Sequence, residues 1–379
     1  MKKSIITFVA LLIGSTALFA QRVPPPVPRK VQVAILFDTS NSMDGLIDQA
    51  KSRIWNIVNE VSDLTYNGLT PTIEISLYQY GNDHLSSTDN YVQQILPLTS
   101  DLDDLSQKLF ALSTNGGEEY CGAVINRSLN DLGWSTEQTD LKMIYIAGNE
   151  DFNQGPIKFE VVCKEAAKKG VYVNTIYCGP YDQGVKEHWY DGAMCSQGNY
   201  FNIDSDKAVV HIDTPYDEDI RSYNDSINTT YYGYGDLGVM KKTMQMEEDA
   251  NAAYESPSVA TERSIVKSKG AVYNNASWDL IDAVDDGDKD LLELKEEELP
   301  DEFKGKTDEE KTALLDQKRS EREHYQTKVA ELAKQRQSYI DVELKKREAL
   351  GDVDDFGTSV NESIMLKAEE IGFTKEANN

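Results

Sequence analysis

The stretch ILFDTSNSM, residues 35–43, is apolar as far as Phe37 and then turns polar: Asp38, Thr39, Ser40 and Asn41 all carry side-chain oxygens, with Ser42 just behind. A buried strand that ends this way stops at something polar. Asp38 supplies a carboxylate, and Ser40 and Ser42 supply hydroxyls at alternate positions that a tight turn can aim at the same point. Hard divalent cations take oxygen ligands of this kind, and magnesium often keeps only a few protein ligands beside its waters. The competing reading is that Ser40 or Ser42 caps the helix that follows.

Other residues able to do chemistry are sparse. The four histidines, His84, His188, His211 and His324, show no H-E-x-x-H spacing, and there is neither a G-x-S-x-G elbow nor a phosphate loop with lysine. His84 follows a strand and is the histidine on the same side as Asp38; its simplest reading is an exposed loop residue. Asp286, Asp288, Asp290 and Glu297 in DGDKDLLELKEE fall at calcium-loop positions, but Leu291 stands where the loop needs glycine, so coincidence in an acidic run is the better account. Cys121, Cys163, Cys178 and Cys195 are even in number and lack CxxC spacing, which suggests two disulfides in an oxidising compartment, with the pairing open.

The elements that must position Asp38 follow from periodicity. VQVAILF reads as a strand, and Ile47, Ala50, Ile54, Ile57, Val58 and Val61 share one face of the helix after it. TIEISLYQY is a second strand, and YVQQILPL a third whose proline suits a sheet edge. After two helical segments come LKMIYIA, a helix over 157–169, VYVNTIY and YFNID. Strands alternating with helices predict an α/β domain over 31–228: a doubly wound, mostly parallel sheet with helices on both faces. In such sheets ligands sit at the carboxyl ends of the strands, where FDTSNS leaves the first one.

Beyond that domain the pattern weakens. NTTYYGYGDLG is rich in tyrosine and glycine, and 229–300 reads as a linker or docking segment, acidic toward its end. A helical C-terminal region over 301–379 is clearer: Thr307 with Glu310 forms a capping box and Gly351 a stop, enclosing a helix of about forty residues, on the order of 60 Å long. Its thin apolar stripe, Tyr325, Val329, Leu332, Tyr339 and Ile340, predicts either coiled-coil pairing, including self-association through 307–350, or packing against the domain.

The N-terminus has Lys2 and Lys3 before an apolar run to Ala20, as in a cleaved signal peptide over 1–20, and a proline-rich lead-in over 21–30 follows. No later stretch approaches the roughly 20 apolar residues that a bilayer needs. The expected location is therefore periplasmic or secreted, with no lipid anchor and no stable membrane insertion after signal cleavage. Among 379 residues the net charge is −27, which opposes binding to nucleic acid or anionic lipid.

With these residues in view, the chain resembles the von Willebrand factor type A (VWA) domain over roughly 31–228. The likeness rests on ILFDTSNSM, on STNGGEEYCGAVINRSLNDL at 113–132, on LKMIYIAGNEDF at 141–152, and on VNTIYCG with YFNID. It implies a Rossmann-like doubly wound fold and a metal-ion-dependent adhesion site built from the D-x-S-x-S turn and two further loops. Asp38, Ser40 and Ser42 match that turn in full. Where many members have threonine after a glycine pair, this chain has Glu118 and Glu119; where threonine and aspartate end the fourth strand, it has Ala147 and Gly148, with Asn149, Glu150 and Asp151 as the next oxygens.

The resemblance implies a divalent cation, Mg2+ ahead of Ca2+ or Mn2+, whose open coordination position is filled by a carboxylate of a partner protein. The expected function is a non-enzymatic protein-binding module. The alternative is an envelope scaffold acting through the long helix, with a vestigial metal site; metal-assisted hydrolysis around Asp38 is the enzymatic reading and lacks a recognisable base.

Overall fold

A computed structural model describes residues 28–44, 47–203, 212–348 and 356–375. The expected signal peptide, most of the proline-rich lead-in, His211 and Gly351 lie outside the described residues. Eight strands and twelve α-helices are described in that range, in chain order: β1 (Lys30–Asp38), α1 (Ile47–Ser62), β2 (Leu64–Tyr66), β3 (Thr72–Tyr80), β4 (Val92–Thr99), α2 (Leu102–Phe110), α3 (Cys121–Asp131), β5 (Leu141–Gly148), α4 (Phe159–Lys169) and β6 (Tyr172–Cys178). There follow α5 (Tyr181–Lys186), α6 (Trp189–Met194), β7 (Tyr200–Ile203), α7 (Asp217–Asn228), α8 (Gly235–Glu255), α9 (Pro257–Lys267), α10 (Leu280–Asp285), α11 (Asp308–Glu348), α12 (Phe356–Glu370) and β8 (Phe373–Lys375).

Six strands form one sheet in the order β4-β3-β1-β5-β6-β7. All neighbours are parallel except β4, which runs antiparallel to β3 at the edge, where Pro97 costs no interior ladder bond. Period-two alternation sorts the side chains of β1 onto two cores. Val31, Val33, Ile35 and Phe37 join one cluster, while Ala34 and Leu36 join the other. The expected doubly wound, mostly parallel sheet is the one observed. Because β3 and β5 flank β1 on opposite sides, the chain reverses direction across the sheet there, and the crevice opens above the carboxyl end of β1.

Residues 229–300, expected as a linker or docking segment, are largely folded and hold α8, α9 and α10. In the tyrosine-rich stretch Tyr231, Tyr232 and Tyr234 are buried, and Tyr232 packs with Leu280, Leu299 and Phe303 in a third core. Sequence periodicity missed these helices because α8 and α9 bury polar and charged side chains along with apolar ones. Arg263 lies 2.5 Å from Asp103 of α2, joining the helical layer to the sheet domain, and 2.8 Å from Asp249, while Lys267 lies 2.5 Å from Asp249, both tying α9 to α8.

The long helix starts where the capping box predicts. Thr307 N–H donates to Glu310 Oε2 at 2.9 Å, and Glu310 N–H donates to Thr307 Oγ1 at 3.3 Å. Its stripe is used within the chain: Tyr325, Val329 and Leu332 pack into the main core. Buried Arg322 bonds Asp279 and Asp282, and Arg336 bonds Asp217 and Glu262. Self-association through that seam would therefore have to displace the chain's own α7 face. At the C-terminus β8 pairs antiparallel with β2, returning the chain to the sheet domain.

Of the two expected disulfides, Cys163–Cys195 is formed, while Cys121 and Cys178 are buried free thiols. These two belong to core clusters on opposite faces of the sheet, which keeps them apart.

Candidate metal centre

Four loops meet above the carboxyl end of β1. Asp38 is the last residue of that strand and is fully buried. Its Oδ1 accepts the Ser40 N–H at 2.8 Å, which folds the turn back over the carboxylate. Ser40 Oγ and Ser42 Oγ are 2.8 Å apart, so the hydroxyls converge as their alternate spacing requires. Neither serves as the cap of a helix: the short 3-10 turn at Asn41–Met43 has Ser40 at its N-cap without a side-chain capping bond.

The loop after β5 closes one side. Ser42 Oγ donates to Asn149 Oδ1 at 2.8 Å, and Asn149 Nδ2 donates to the Ser42 carbonyl at 3.0 Å. Glu150 is exposed, and its carbonyl accepts the Trp189 indole N–H at 2.7 Å. Asp151 is spent on its own turn, accepting the Asn153 N–H at 2.8 Å. Position 148 leaves no room for a side chain. A Cβ at Gly148 would stand 2.5 Å from the Tyr80 hydroxyl, 3.0 Å from Trp189 Cη2 and 3.1 Å from Asp38 Oδ2, so two aromatic rings fill the floor instead. The Tyr80 hydroxyl donates to the Ala147 carbonyl at 3.0 Å.

The 113–119 loop closes the other side. Asn115 N–H donates to the Thr39 carbonyl at 2.9 Å, and buried Asn82 ties the Thr39 and Ser113 carbonyls together at 3.3 and 3.2 Å. Gly117 packs so closely that a Cβ would meet the Gly81 carbonyl at 2.1 Å. This close approach brings Glu119, rather than Glu118, to the seat: a Cβ on Gly81 would stand 2.8 Å from Asp38 Oδ1 and 3.0 Å from Glu119 Cγ. Glu118 is exposed and accepts from the Tyr120 hydroxyl at 3.4 Å.

Asp38 Oδ2 is buried and has no hydrogen-bond partner. Burial, opposed by the Ser40 bonds and reinforced by the charges of Glu119 and Glu150, pushes the Asp38 carboxyl up to about 7. Glu119 is likewise raised, by partial burial and by Glu150 and Glu118. Among the described residues no group of three or more His, Cys, Asp or Glu side chains is placed to hold a metal ion. His84 is exposed on the same side of the sheet, and Asp286, Asp288, Asp290 and Glu297 do not gather into a loop: Asp290 bonds the Leu292 N–H and Asp286 bonds Asn274. Sequence reasoning missed Tyr80, Gly81 and Trp189; the available signals were Gly81 directly after β3 and Gly148 at the end of β5, and Trp189 had none.

No family model and no curated protein matches the chain. Among solved structures it is similar to the conserved hypothetical protein BatB from Bacteroides thetaiotaomicron, with 20% identity over 46% of this chain and 90% of that one and a TM-score of 0.35. It is also similar to the SpRpn10 VWA domain, with 17% identity over 46% and 88% of the two chains and a TM-score of 0.34. Proximal thread matrix protein 1 from the mussel byssus, with a zinc occupied MIDAS motif, gives 14% identity over 48% and 43% and a TM-score of 0.36. On the chain's own strand order, its antiparallel edge strand and the D-x-S-x-S turn at the carboxyl end of β1, the sheet domain has the von Willebrand factor type A fold.

Proposed function

We propose that this is an exported, non-enzymatic protein-binding module whose crevice above β1 holds a divalent cation, Mg2+ ahead of Ca2+ or Mn2+, and grips a partner protein there. The observation that supports it most is the buried Asp38 carboxylate with an unpartnered Oδ2. Leaving a charged oxygen without a partner in a protein interior is costly, and a cation beside Ser40, Ser42, Glu119 and Asn149 would relieve that cost. When bound, the ion would supply a fixed positive charge at the mouth of the crevice. Asp38, Ser40 and Ser42 would hold it, Asn149 would brace Ser42, and Tyr80 and Trp189 would keep water from the floor.

Export is supported by the Cys163–Cys195 disulfide, which persists in oxidising compartments. Among the described residues no helix is long and apolar enough to cross a membrane. The resemblance has a partner carboxylate complete the ion's shell; here Glu119 of the chain itself already stands at the mouth.

The test is thermal unfolding with millimolar magnesium, manganese or calcium against chelator, on the wild type and Asp38→Ala. A ligand present at a hundredfold excess over its Kd stabilises the folded state by about 2.7 kcal/mol. A rise that Asp38→Ala abolishes supports the cation site. No rise with any ion sinks it and moves the alternative forward: a structural scaffold acting through the helical region, which buried ion pairs weld to the sheet domain.

A further inference from the structure

Helix α8 turns one face inward and leaves the other bare. Gln245, Glu248 and Ala252 are buried where it packs on α9 and α2. On the opposite side Val239, Thr243, Met246, Ala250 and Ala253 follow one another at alternating steps of four and three residues, all exposed, with Met240 and Tyr254 beside them. Among the described residues, five of the fifteen exposed large apolar side chains stand on this helix: Leu237 at 47%, Val239 at 80%, Met240 at 57%, Met246 at 55% and Tyr254 at 93%. Single apolar residues on a surface need no explanation, whereas a contiguous stripe of them marks a contact.

We infer that this face of α8 joins two copies of the chain, which meet as an antiparallel helix pair about a two-fold axis. The alternating steps of four and three are the seam of a helix that packs along another helix. The seam is also sorted by size, with Val239 in its first half and Ala250 and Ala253 in its second. An axis between Thr243 and Met246 sets Val239 of each copy opposite Ala250 of the other, and Tyr254 opposite Gly235, large against small at both ends. The same pairing lays the positive end of each helix dipole beside the negative end of the other. From the exposures above, the five large side chains offer on the order of 600 Å² per copy, so a pair would bury about 1,200 Å², the lower bound for a stable specific interface. The sequence placed self-association on α11, but Tyr325, Val329 and Leu332 of that stripe are covered within the chain. The uncovered seam is on α8.

The test is sedimentation equilibrium of the full chain over about 1–200 µM, which brackets the micromolar Kd that such an area supports. The expected result is a reversible dimer. Val239→Glu with Met246→Glu, both at exposed positions that leave the fold intact, should weaken it at least about tenfold, because each charge would be buried at the contact. Val161→Glu, on the exposed side of α4, should leave it within about twofold. Each chain carries a charge of −27, so added salt should tighten the dimer by screening repulsion, the reverse of an interface held by ion pairs. Register is read by cross-linking. Val239→Cys and Ala250→Cys chains should form a disulfide on mild oxidation only when mixed, since in this register each residue lies about 16 Å from its own copy, too far to bridge.

A monomer at every concentration would overturn the inference and leave the face to another protein or a lipid surface. Equal weakening by Val161→Glu, or cross-linking of Val239→Cys with itself, would overturn it as well. Neither the crevice nor its cation takes part, so this inference and the proposed function fail separately.

Discussion

Ser42 and Asn149 hold each other by two hydrogen bonds, Ser42 Oγ to Asn149 Oδ1 at 2.8 Å and Asn149 Nδ2 to the Ser42 carbonyl at 3.0 Å. The pair joins the turn after β1 to the loop after β5. Asn149→Ala removes both bonds, at about 1 kcal/mol each. We expect a stability loss of about 1–2 kcal/mol in urea unfolding and a smaller stabilisation by magnesium. An unchanged magnesium response would show that Asn149 does not shape the seat.

Asp38 gives a pH dependence with a definite sign. Its carboxyl is pushed up to about 7 by burial, against about 3.9 in an unfolded chain. The folded state therefore holds more protons between those values, and chelator-treated protein should lose stability as pH rises from about 4 to about 7, with no further change from this group above that. Asp38→Asn removes the charge and should stabilise the chelator-treated protein at pH 8 by about 1–3 kcal/mol. The same variant should cancel the stabilisation by added cation. Differential scanning calorimetry at two pH values checks both; a variant less stable than wild type in chelator contradicts the account.

Arg322 and Arg319 lie one turn apart on α11 and should behave differently. Arg322 is buried, stacks over Tyr231 at 4.0 Å and bonds Asp279, which has no exposed surface. Arg322→Ala leaves that carboxylate buried and unpaired, at a cost of about 3–5 kcal/mol. Arg319 pairs with Asp285 and Asp316 near the surface, and Arg319→Ala should cost at most about 1 kcal/mol. Equal losses in denaturant titrations would show that α11 is not anchored through Arg322.

The disulfide makes a chemical prediction. Cys163 and Cys195 are 32 residues apart, so the chain-entropy model gives about 3–4 kcal/mol for closing that loop. Cys163→Ser with Cys195→Ser should lower the midpoint of unfolding accordingly. In the folded wild type, Cys121 and Cys178 should resist alkylation until denaturant is added, as both are buried; mass spectrometry after iodoacetamide reads this. Labelling of either thiol at the rate of an exposed one would contradict the packing described.

The sequence alone determined the elements with strong period. Strict alternation in β1, the proline in β4, the D-x-S-x-S turn and the Thr307–Glu310 box are local patterns whose physics acts within a few residues, and each element stands where its pattern places it. What only the tertiary structure decided depends on distance in space. Glu119 rather than Glu118 reaches the seat because Gly117 presses against Gly81, and position 148 has no room for a side chain because Tyr80 and Trp189, separated by most of the sheet domain in sequence, fill the same space. Residues 229–300 gave weak signals because α8 and α9 exchange apolar surface for buried ion pairs with distant partners such as Asp103, a compensation that no single-segment pattern contains. The direction of the long helix's thin stripe was likewise settled by Arg322 and Arg336, whose carboxylate partners lie on other helices.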